Sequence, residues 1–293
     1  MRQCLAALNM RLLKCCFIIL FSCIILSCSL IKTAYNNAPE LAIWWLNDYF
    51  NLTQSQKLVL KPALQNLHNW HRHNQIPNYL SFLQSMQTSL VSDQFSASDA
   101  CEKMDEVKLS LYTLQIESIP IIIEFAPLLS ENQRRYFQQK LLKRTKKWKE
   151  EWWQDTPKAQ LEARLEKTQD FAEKIYGDLT ELQLTQLKQN LALANINPAI
   201  SYKEIQRRND DVFTILNALQ NQALTTDEKT ELVKDGFARL QKSPNLAYQT
   251  YADALIKQTC ETISNLQATS TAQQKAHAKN WLQDYMNQIT LLN

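Results

Sequence analysis

A five-residue pattern, Leu-Thr/Ser-x-x-Gln, recurs along this 293-residue chain and constrains its fold more than any other feature. It occupies residues 52–56, 129–133 and 179–183, and an acidic version occupies residues 224–228. The hydroxyl can accept a hydrogen bond from a first-turn backbone amide, the Gln or Glu three residues later can bond back, and the leucine packs on the first turn. Each copy therefore predicts the start of an α-helix.

Residues 201–204 and 270–273 are read as further capping boxes of the same kind. The four main copies are separated by 77, 50 and 45 residues, which is too uneven for a repeat solenoid. This spacing favours antiparallel helical hairpins of unequal length.

Glycine is scarce, with Gly177 and Gly236 the two in the whole chain. Strands joined by tight turns normally need more glycine, whereas the abundant Leu, Gln, Lys, Ala and Glu are good helix formers. The fold class is therefore predicted to be all-α, a multi-helix array of antiparallel helical hairpins with roughly ten to twelve helices. Because no Pro/Gly/Ser-rich linker divides residues 37–293, we expect a single domain there.

Prolines and one asparagine suggest further helix boundaries. Asn37 is expected to cap a helix, with Glu40 bonding back to it. Pro62 predicts a kink within a helix, and Pro77 predicts a restart. Pro120 should break the chain before a short, buried apolar helix.

The amino-terminal region reads as an export signal, because Arg11 and Lys14 precede an apolar run at residues 15–28. The run is too short for an uncleaved membrane anchor, which needs about 20 apolar residues. Residues 25–28 resemble the lipobox of bacterial lipoproteins, and this resemblance implies cleavage of residues 1–27. Residues 20–23 remain a second possible processing site, and translation could start at Met1 or Met10.

The lipobox resemblance implies that Cys28 carries acyl chains such as palmitate and anchors the protein in a lipid bilayer. Residues 28–36 would then form a lipidated tether. Ser29 is not the aspartate that retains many such proteins in the inner membrane. The resemblance thus implies the outer membrane, on the side that faces the periplasm.

Net charge argues against a nucleic-acid partner. Removal of residues 1–27 takes away three basic and no acidic residues, so the formal charge falls from +3 to zero. Cysteine use agrees with export, since Cys101 and Cys260 are the two cysteines outside the amino-terminal region. In an oxidising compartment they are expected to form one disulfide, although two separately buried thiols remain possible.

The densest polar cluster lies at residues 68–73. His68 and His71 share one helical face and could hold a metal if a third ligand arrived, but no CxxC or HExxH motif accompanies them. We expect no metal and no cofactor. Favourable interaction of His and Arg with a helix end explains the cluster as well. The alternative is a partner-binding site, made of Trp44, Trp45, Trp70, His71, Arg72 and Tyr79.

Tryptophans occur in two further settings. Trp44 and Trp45 point about 100° apart on a helix, so they either enter a broad core, which we prefer, or contact a membrane or partner. Residues 143–153 interleave Lys and Arg with Trp, which suits either anionic lipid headgroups or a core face. We expect Trp148 and Trp152, four residues apart, to lie in the core.

Four stretches, residues 35–39, 44–46, 70–72 and 76–79, together with the Leu-Thr-x-x-Gln helix starts, carry a family resemblance. In these the chain resembles an uncharacterised family of proteobacterial lipoproteins with a domain of unknown function. The resemblance implies a periplasmic, membrane-anchored helical protein and no known reaction or catalytic residue. More distantly, the chain is similar to Spy/CpxP-type periplasmic chaperones, small helical dimers that bind unfolded clients.

The sequence therefore favours a binding, interaction or chaperone-like module of the cell envelope, with envelope proteins or unfolded clients as partners and without catalysis. The alternative is a peptidoglycan-acting enzyme of the lytic-transglycosylase type with a glutamate as acid and base. Glu117 before Ser118 is the one echo of such a motif, and the glycine-containing strings that should follow are missing. Such an enzyme would need Glu117 in a cleft.

Overall fold

The computed structural model describes residues 31–92, 94–154, 156–194 and 196–292. These residues are 85% helical and contain no strand, so the all-α prediction is confirmed. The predicted signal segment, residues 1–27, and the predicted lipidation site Cys28 lie outside the described residues. The helices are α1 Ala38–Phe50, α2 Gln54–Asn74, α3 Ile76–Val91, α4 Ala97–Glu117, α5 Ile119–Phe125, α6 Glu131–Trp152, α7 Pro157–Tyr176, α8 Glu181–Leu193, α9 Pro198–Ala218, α10 Thr226–Gln241, α11 Leu246–Ala268 and α12 Ala272–Thr290.

All four copies of the repeated pattern begin helices as predicted. Thr53, Ser130, Thr180 and Thr225 are N-caps whose side chains accept a hydrogen bond from the third residue of the helix, and that residue bonds back. The two further boxes are wrong as assigned. Asn197 caps α9, which already includes residue 201, and the last box lies one residue later than expected, with Thr271 as the cap.

The predicted cap at Asn37 is also wrong. Residues 31–36 are already helical, and Asn37 donates its side-chain amide to the Thr33 carbonyl oxygen at 2.7 Å instead of capping α1. Pro62 lies inside the continuous helix α2, and α5 begins next to Pro120 as expected. Gly177 ends α7 with a φ of 76°, a backbone conformation that glycine adopts without strain.

Two hydrophobic cores organise the helices. The first is built from α1, α2, α5, α6, α9 and α10, and Leu60, Phe125 and Leu219 lie at its centre. The second is built from α3, α7, α8 and α12 around Tyr176, Leu187 and Leu282. Each core also holds a buried pair of glutamines from the capping boxes, Gln56 with Gln133 and Gln183 with Gln274.

Helices α4 and α11 pack on each other beside the second core and are joined by a disulfide. Cys101 of α4 and Cys260 of α11 are bonded, with their Cα atoms 5.3 Å apart. The disulfide predicted between these two cysteines is therefore confirmed. Cys260 is fully buried, next to Phe95 and Ala100.

Candidate functional site

An apolar groove of about 530 Å³ opens between α3, α4, α7, α8, α11 and α12. The surface that lines the groove is almost entirely apolar and consists of aliphatic, thioether and aromatic groups. Side chains from all six helices contribute, among them Phe82, Met104, Phe171, Leu187, Leu266 and Trp281. This volume falls within the range of about 300–1,000 Å³ that small-molecule sites usually have.

The groove exists because facing helices carry both large and small residues at helical spacing. Phe82, Met86 and Leu90 follow one stripe of α3, which packs lengthwise on α12. Opposite them, Ala100 of α4 and Ala172 of α7 are buried but short, so they leave space that a longer side chain would fill. The volume between the helices is therefore not closed by the protein's own side chains.

The mouth of the groove is apolar with a polar edge. Phe171 is 62% exposed and Val107 is 44% exposed, although both line the groove. Lys103 and Lys108 also line it. The Lys103 ammonium group donates hydrogen bonds to the Ser85 hydroxyl at 3.1 Å and to a Glu106 carboxylate oxygen at 2.6 Å.

Helix α4 also carries two exposed leucines outside the groove wall, Leu111 one turn beyond Val107 and Leu109 on the opposite face. Leu109 and Leu111 are 64% and 55% exposed. In the described part of the chain, one helical stretch, Ala97–Leu128, is long and apolar enough in composition to cross a membrane. This stretch comprises α4, α5 and a short 3-10 turn, and α4 packs against α11 through the disulfide. This stretch is therefore a helix of the fold, and its exposed positions include the charged Glu102 and Asp105 as well as the two leucines.

Three of the six residues in the expected partner site come together around Tyr35. The Tyr35 hydroxyl lies 3.0 Å from His71 Nδ1, and His71 Nε2 lies 3.2 Å from the Tyr79 hydroxyl. Arg72 donates to the Asn36 side-chain oxygen at 2.6 Å, and its guanidinium carbon is 5.3 Å from the Tyr35 ring centre. Tyr35 was absent from the expected site because the sequence analysis assigned residues 28–36 to a tether.

The other three residues do not join this cluster of contacts. Trp70 is half-buried on α2. Trp44 is 71% exposed and Trp45 is 50% exposed, so the preference for a core position was wrong. The reason is that α1 uses Ile43, Leu46 and Phe50 to pack on the first core, which turns both indoles outward.

His68 lies beneath the same cluster. It is 7% exposed, its ring centre is 4.6 Å from that of Tyr35, and neither ring nitrogen has a hydrogen-bond partner among the described residues. Burial lowers the pKa of His68, and the nearby Arg72 charge lowers it further. Burial also lowers the pKa of His71. No group of three or more His, Cys, Asp or Glu within the described ranges could hold a metal ion.

A comparison with family models places the chain. Residues 48–236, well over half of its length, match the model of DUF6279, a family of unknown function. The chain belongs to the DUF6279 family. No curated protein and no solved structure matches it. The likeness to Spy/CpxP-type proteins is not confirmed by these comparisons.

The family match covers part of the candidate site of this DUF6279 protein. It begins in α1 and ends in α10, so it includes α3, α4 and α7 of the groove. Helices α11 and α12, which supply Leu266, Trp281 and the second cysteine of the disulfide, lie beyond it. The match also contains residues 70–72 and 76–79, two of the stretches that carried the resemblance in the sequence.

Two further predictions about this DUF6279 chain are settled by burial. Trp148 is half-buried and Trp152 is 36% exposed, with the Lys167 ammonium 3.6 Å from its ring centre, so the expectation that both lie in the core was wrong. The helix α6 buries Phe137 and Thr145 instead. Glu117, the candidate acid and base, is the last residue of α4 and is exposed.

Proposed function

We propose that this protein is a lipid-anchored binding protein of the bacterial cell envelope whose apolar groove holds the hydrocarbon chain of a lipid. The observation that carries the proposal is the groove of about 530 Å³ with its almost wholly apolar wall. Each methylene removed from water contributes about 0.8 kcal/mol, so a single acyl chain gains considerable free energy in such a groove.

The wall chemistry favours a hydrocarbon chain over a polypeptide. A peptide brings one N–H and one C=O group per residue, and each of these costs roughly 1–3 kcal/mol when it is buried without a hydrogen-bond partner. The apolar wall offers few partners for them. An acyl chain has no polar groups along its length, so it fits this wall without that cost.

Three features support a location at the envelope. The amino-terminal sequence resembles a lipoprotein signal that ends at Cys28, which would keep the groove near a bilayer. A disulfide such as Cys101–Cys260 is typical of an exported protein. The exposed apolar residues Val107 and Leu111 of α4 give a lipid a path from the membrane surface to the mouth.

The proposal includes no catalysis. A lytic-transglycosylase-type enzyme needs its glutamate in a cleft that raises the carboxyl pKa. The exposed position of Glu117 at the end of α4 supports a binding role over that alternative.

Photo-crosslinking tests the proposal with the full chain in native envelope membranes. A palmitic acid probe that carries a diazirine is added, crosslinked by light and mapped by peptide mass spectrometry. We expect crosslinks on the peptides of α3, α7 and α12 that line the groove. Thr168→Trp should fill the groove and lower the crosslink yield several-fold, because Thr168 lies on its wall.

Thr185→Trp is the matched control, since Thr185 is exposed on α8 and lies outside the groove wall. It should leave the crosslink yield unchanged. The proposal fails if crosslinks map elsewhere in the chain or if Thr168→Trp and Thr185→Trp give the same yield as the unaltered protein. Circular dichroism and the unfolding midpoint show whether each variant has folded.

A further inference from the structure

A second groove, on another part of the molecule, has different chemistry. It lies between the carboxyl-terminal half of α6 and the helix α9 and has a volume of about 650 Å³. Two aromatic rings and several polar side chains line it, in contrast to the apolar groove. We call it the polar groove and define it by Thr145, Lys149, Trp153, Tyr202 and Gln206.

The aromatic part of the polar groove is a pair of half-buried rings. The ring centres of Trp153 and Tyr202 are 5.7 Å apart, with an angle of 66° between the planes. The Lys149 ammonium group lies 4.9 Å from the Trp153 ring centre and 5.7 Å from that of Tyr202. The cation–π contacts hold both rings in position while part of each ring stays open to the groove.

The polar part offers both hydrogen-bond donors and acceptors. Gln206 and Asp210 are four residues apart on α9, so they share a face, and both are exposed. Asn209 donates its side-chain amide to the Thr145 hydroxyl at 2.8 Å, which orders the floor between the helices. Amides donate and accept hydrogen bonds, carboxylates accept and ammonium groups donate.

The charges of the polar groove balance. Lys146 and Lys149 contribute two positive charges, and Glu150 and Asp210 contribute two negative charges. Lys146 and Glu150 also face each other at 3.9 Å. A strongly anionic ligand therefore finds no net attraction there. The Lys149 ammonium group already makes the cation–π contacts with the aromatic rings, which disfavours a ligand that carries an ammonium group.

From these observations we infer that the polar groove is a binding site for a neutral saccharide. A sugar ring has apolar C–H faces that pack on aromatic rings, and hydroxyl groups around its edge that both donate and accept hydrogen bonds. Trp153 and Tyr202 match the faces, and Gln206, Asn209 and Asp210 match the edge. This inference does not depend on the apolar groove or on its ligand.

Titration of the full chain, held in detergent micelles, with neutral oligosaccharides tests the inference. The probes are N-acetylchitotetraose and maltotetraose, and binding is followed by tryptophan fluorescence and saturation-transfer NMR. We expect saturable binding of at least one probe. Trp153→Ala and Tyr202→Ala should each weaken that binding about tenfold, because each removes a stacking face. Gln206→Ala should weaken that binding by a factor of several and leave the protein's structure intact, since the Gln206 side chain is exposed.

Trp152→Ala is the matched control. Trp152 is the neighbour of Trp153 in sequence, but Lys167 covers its ring and it does not line the polar groove. Its removal should leave saccharide binding unchanged. The inference is overturned if neither probe binds saturably up to about 10 mM, far weaker than a specific site requires. It is also overturned if Trp152→Ala weakens binding as much as Trp153→Ala does.

Discussion

Gln56 and Gln133 donate their side-chain amides to each other's carbonyl oxygens, at 3.0 and 2.7 Å, although they are 77 residues apart in sequence. Both side chains are buried. The same carbonyl oxygens also accept from the backbone N–H groups of Thr53 and Ser130, so each glutamine completes its own capping box. One short motif therefore both starts two helices and joins them. Gln183 and Gln274 repeat the arrangement in the second core.

Loss of one glutamine should cost far more than a surface substitution. Gln56→Ala removes the pair with Gln133, the return bond to Thr53 and the bond to the Leu128 carbonyl oxygen, and leaves buried groups without partners. We expect the free energy of unfolding to fall by roughly 2–4 kcal/mol, as measured by urea denaturation. Gln65→Ala, an exposed glutamine on the same helix, should change it by less than about 0.5 kcal/mol.

A double-mutant cycle separates the two glutamine pairs. Gln56→Ala and Gln133→Ala should show a coupling energy of about 0.5–3 kcal/mol, because the side chains are bonded to each other. Gln56→Ala and Gln183→Ala belong to different cores and should add within about 0.5 kcal/mol. If the losses in unfolding free energy simply added for Gln56→Ala and Gln133→Ala, the two side chains would have no coupling energy, and this prediction would be wrong.

The disulfide should contribute substantially to stability. Cys101 and Cys260 close a loop across a sequence separation of 159 residues, which restricts the unfolded chain. Replacement of both by alanine should lower the free energy of unfolding by about 2–5 kcal/mol. Thermal unfolding of the unaltered protein should shift to lower temperature on addition of a thiol reductant. The double variant serves as the control, since a shift in its midpoint would mean that the reductant acts elsewhere.

Stability should fall as the pH drops below the ordinary histidine pKa. Burial lowers the pKa of His68 and of His71 from 6.5, so between the lowered value and 6.5 the unfolded chain binds more protons than the folded one. The stabilising contribution is therefore complete above pH 6.5 and is lost as the pH falls through the lowered pKa values. Arg72, Glu40, Tyr35 and Tyr79 surround the two rings and take part in this balance.

His68→Leu distinguishes this source of pH dependence from others. It removes two ring nitrogens that have no hydrogen-bond partner among the described residues, so we expect the variant to be at least as stable near neutral pH. When the free energy of unfolding is measured by urea denaturation between about pH 5 and pH 8, it should depend less steeply on pH in this variant than in the unaltered protein. His73→Gln, at an exposed site on the same helix, should leave the slope unchanged.

Glu204 is a buried carboxylate whose contribution to stability should depend on pH. It is 3% exposed and accepts hydrogen bonds from Arg207, Arg208 and Ser243. Burial alone raises the pKa of the Glu204 carboxyl, but these hydrogen bonds outweigh that effect and leave the pKa below 4.5. Its contribution to stability is thus present above pH 4.5 and lost as the pH falls through the lowered value.

Glu204→Ala should lower the free energy of unfolding by about 1–3 kcal/mol, because Arg207 and Arg208 lose a buried partner while Arg207 keeps its pair with Asp211. Glu162→Ala is the control: Glu162 pairs with Lys158 at 3.8 Å on the surface, and its loss should cost less than about 1 kcal/mol. If both variants lost the same free energy of unfolding in denaturant titrations, the buried Glu204 would be no more stabilising than a surface carboxylate, and the prediction would be wrong.

The mouth of the apolar groove offers a further prediction with a close control. Phe171 and Leu182 are 62% and 63% exposed, but Phe171 lines the groove and Leu182 does not. Phe171→Ser should reduce crosslinking to the palmitic acid probe about threefold or more, because an aromatic wall residue is lost. Leu182→Ser should leave it unchanged, and a similar loss in both variants would indicate a general surface effect.

Helix starts were the most predictable part of the fold. A capping box is made by residues three apart, so Thr53, Ser130, Thr180 and Thr225 could be assigned from sequence. The prediction for Asn37 failed because residues 31–36 are already helical and the Asn37 side chain donates to the Thr33 carbonyl oxygen behind it. Of the six residues expected to form a partner site, His71, Arg72 and Tyr79 meet around Tyr35, which the sequence analysis assigned to the tether. Their role in binding a partner stays a prediction.

The sequence by itself determined the all-α class, the main helix starts and the one cysteine pair left for a bond, because each depends on composition or on neighbours within one helical turn. The tertiary structure decided that the glutamines pair within each core, that Trp44 and Trp45 face outward, and that six helices leave an apolar groove open. These features depend on which face of a helix is covered by segments distant in the chain. Hydrophobic spacing along one helix does not specify that.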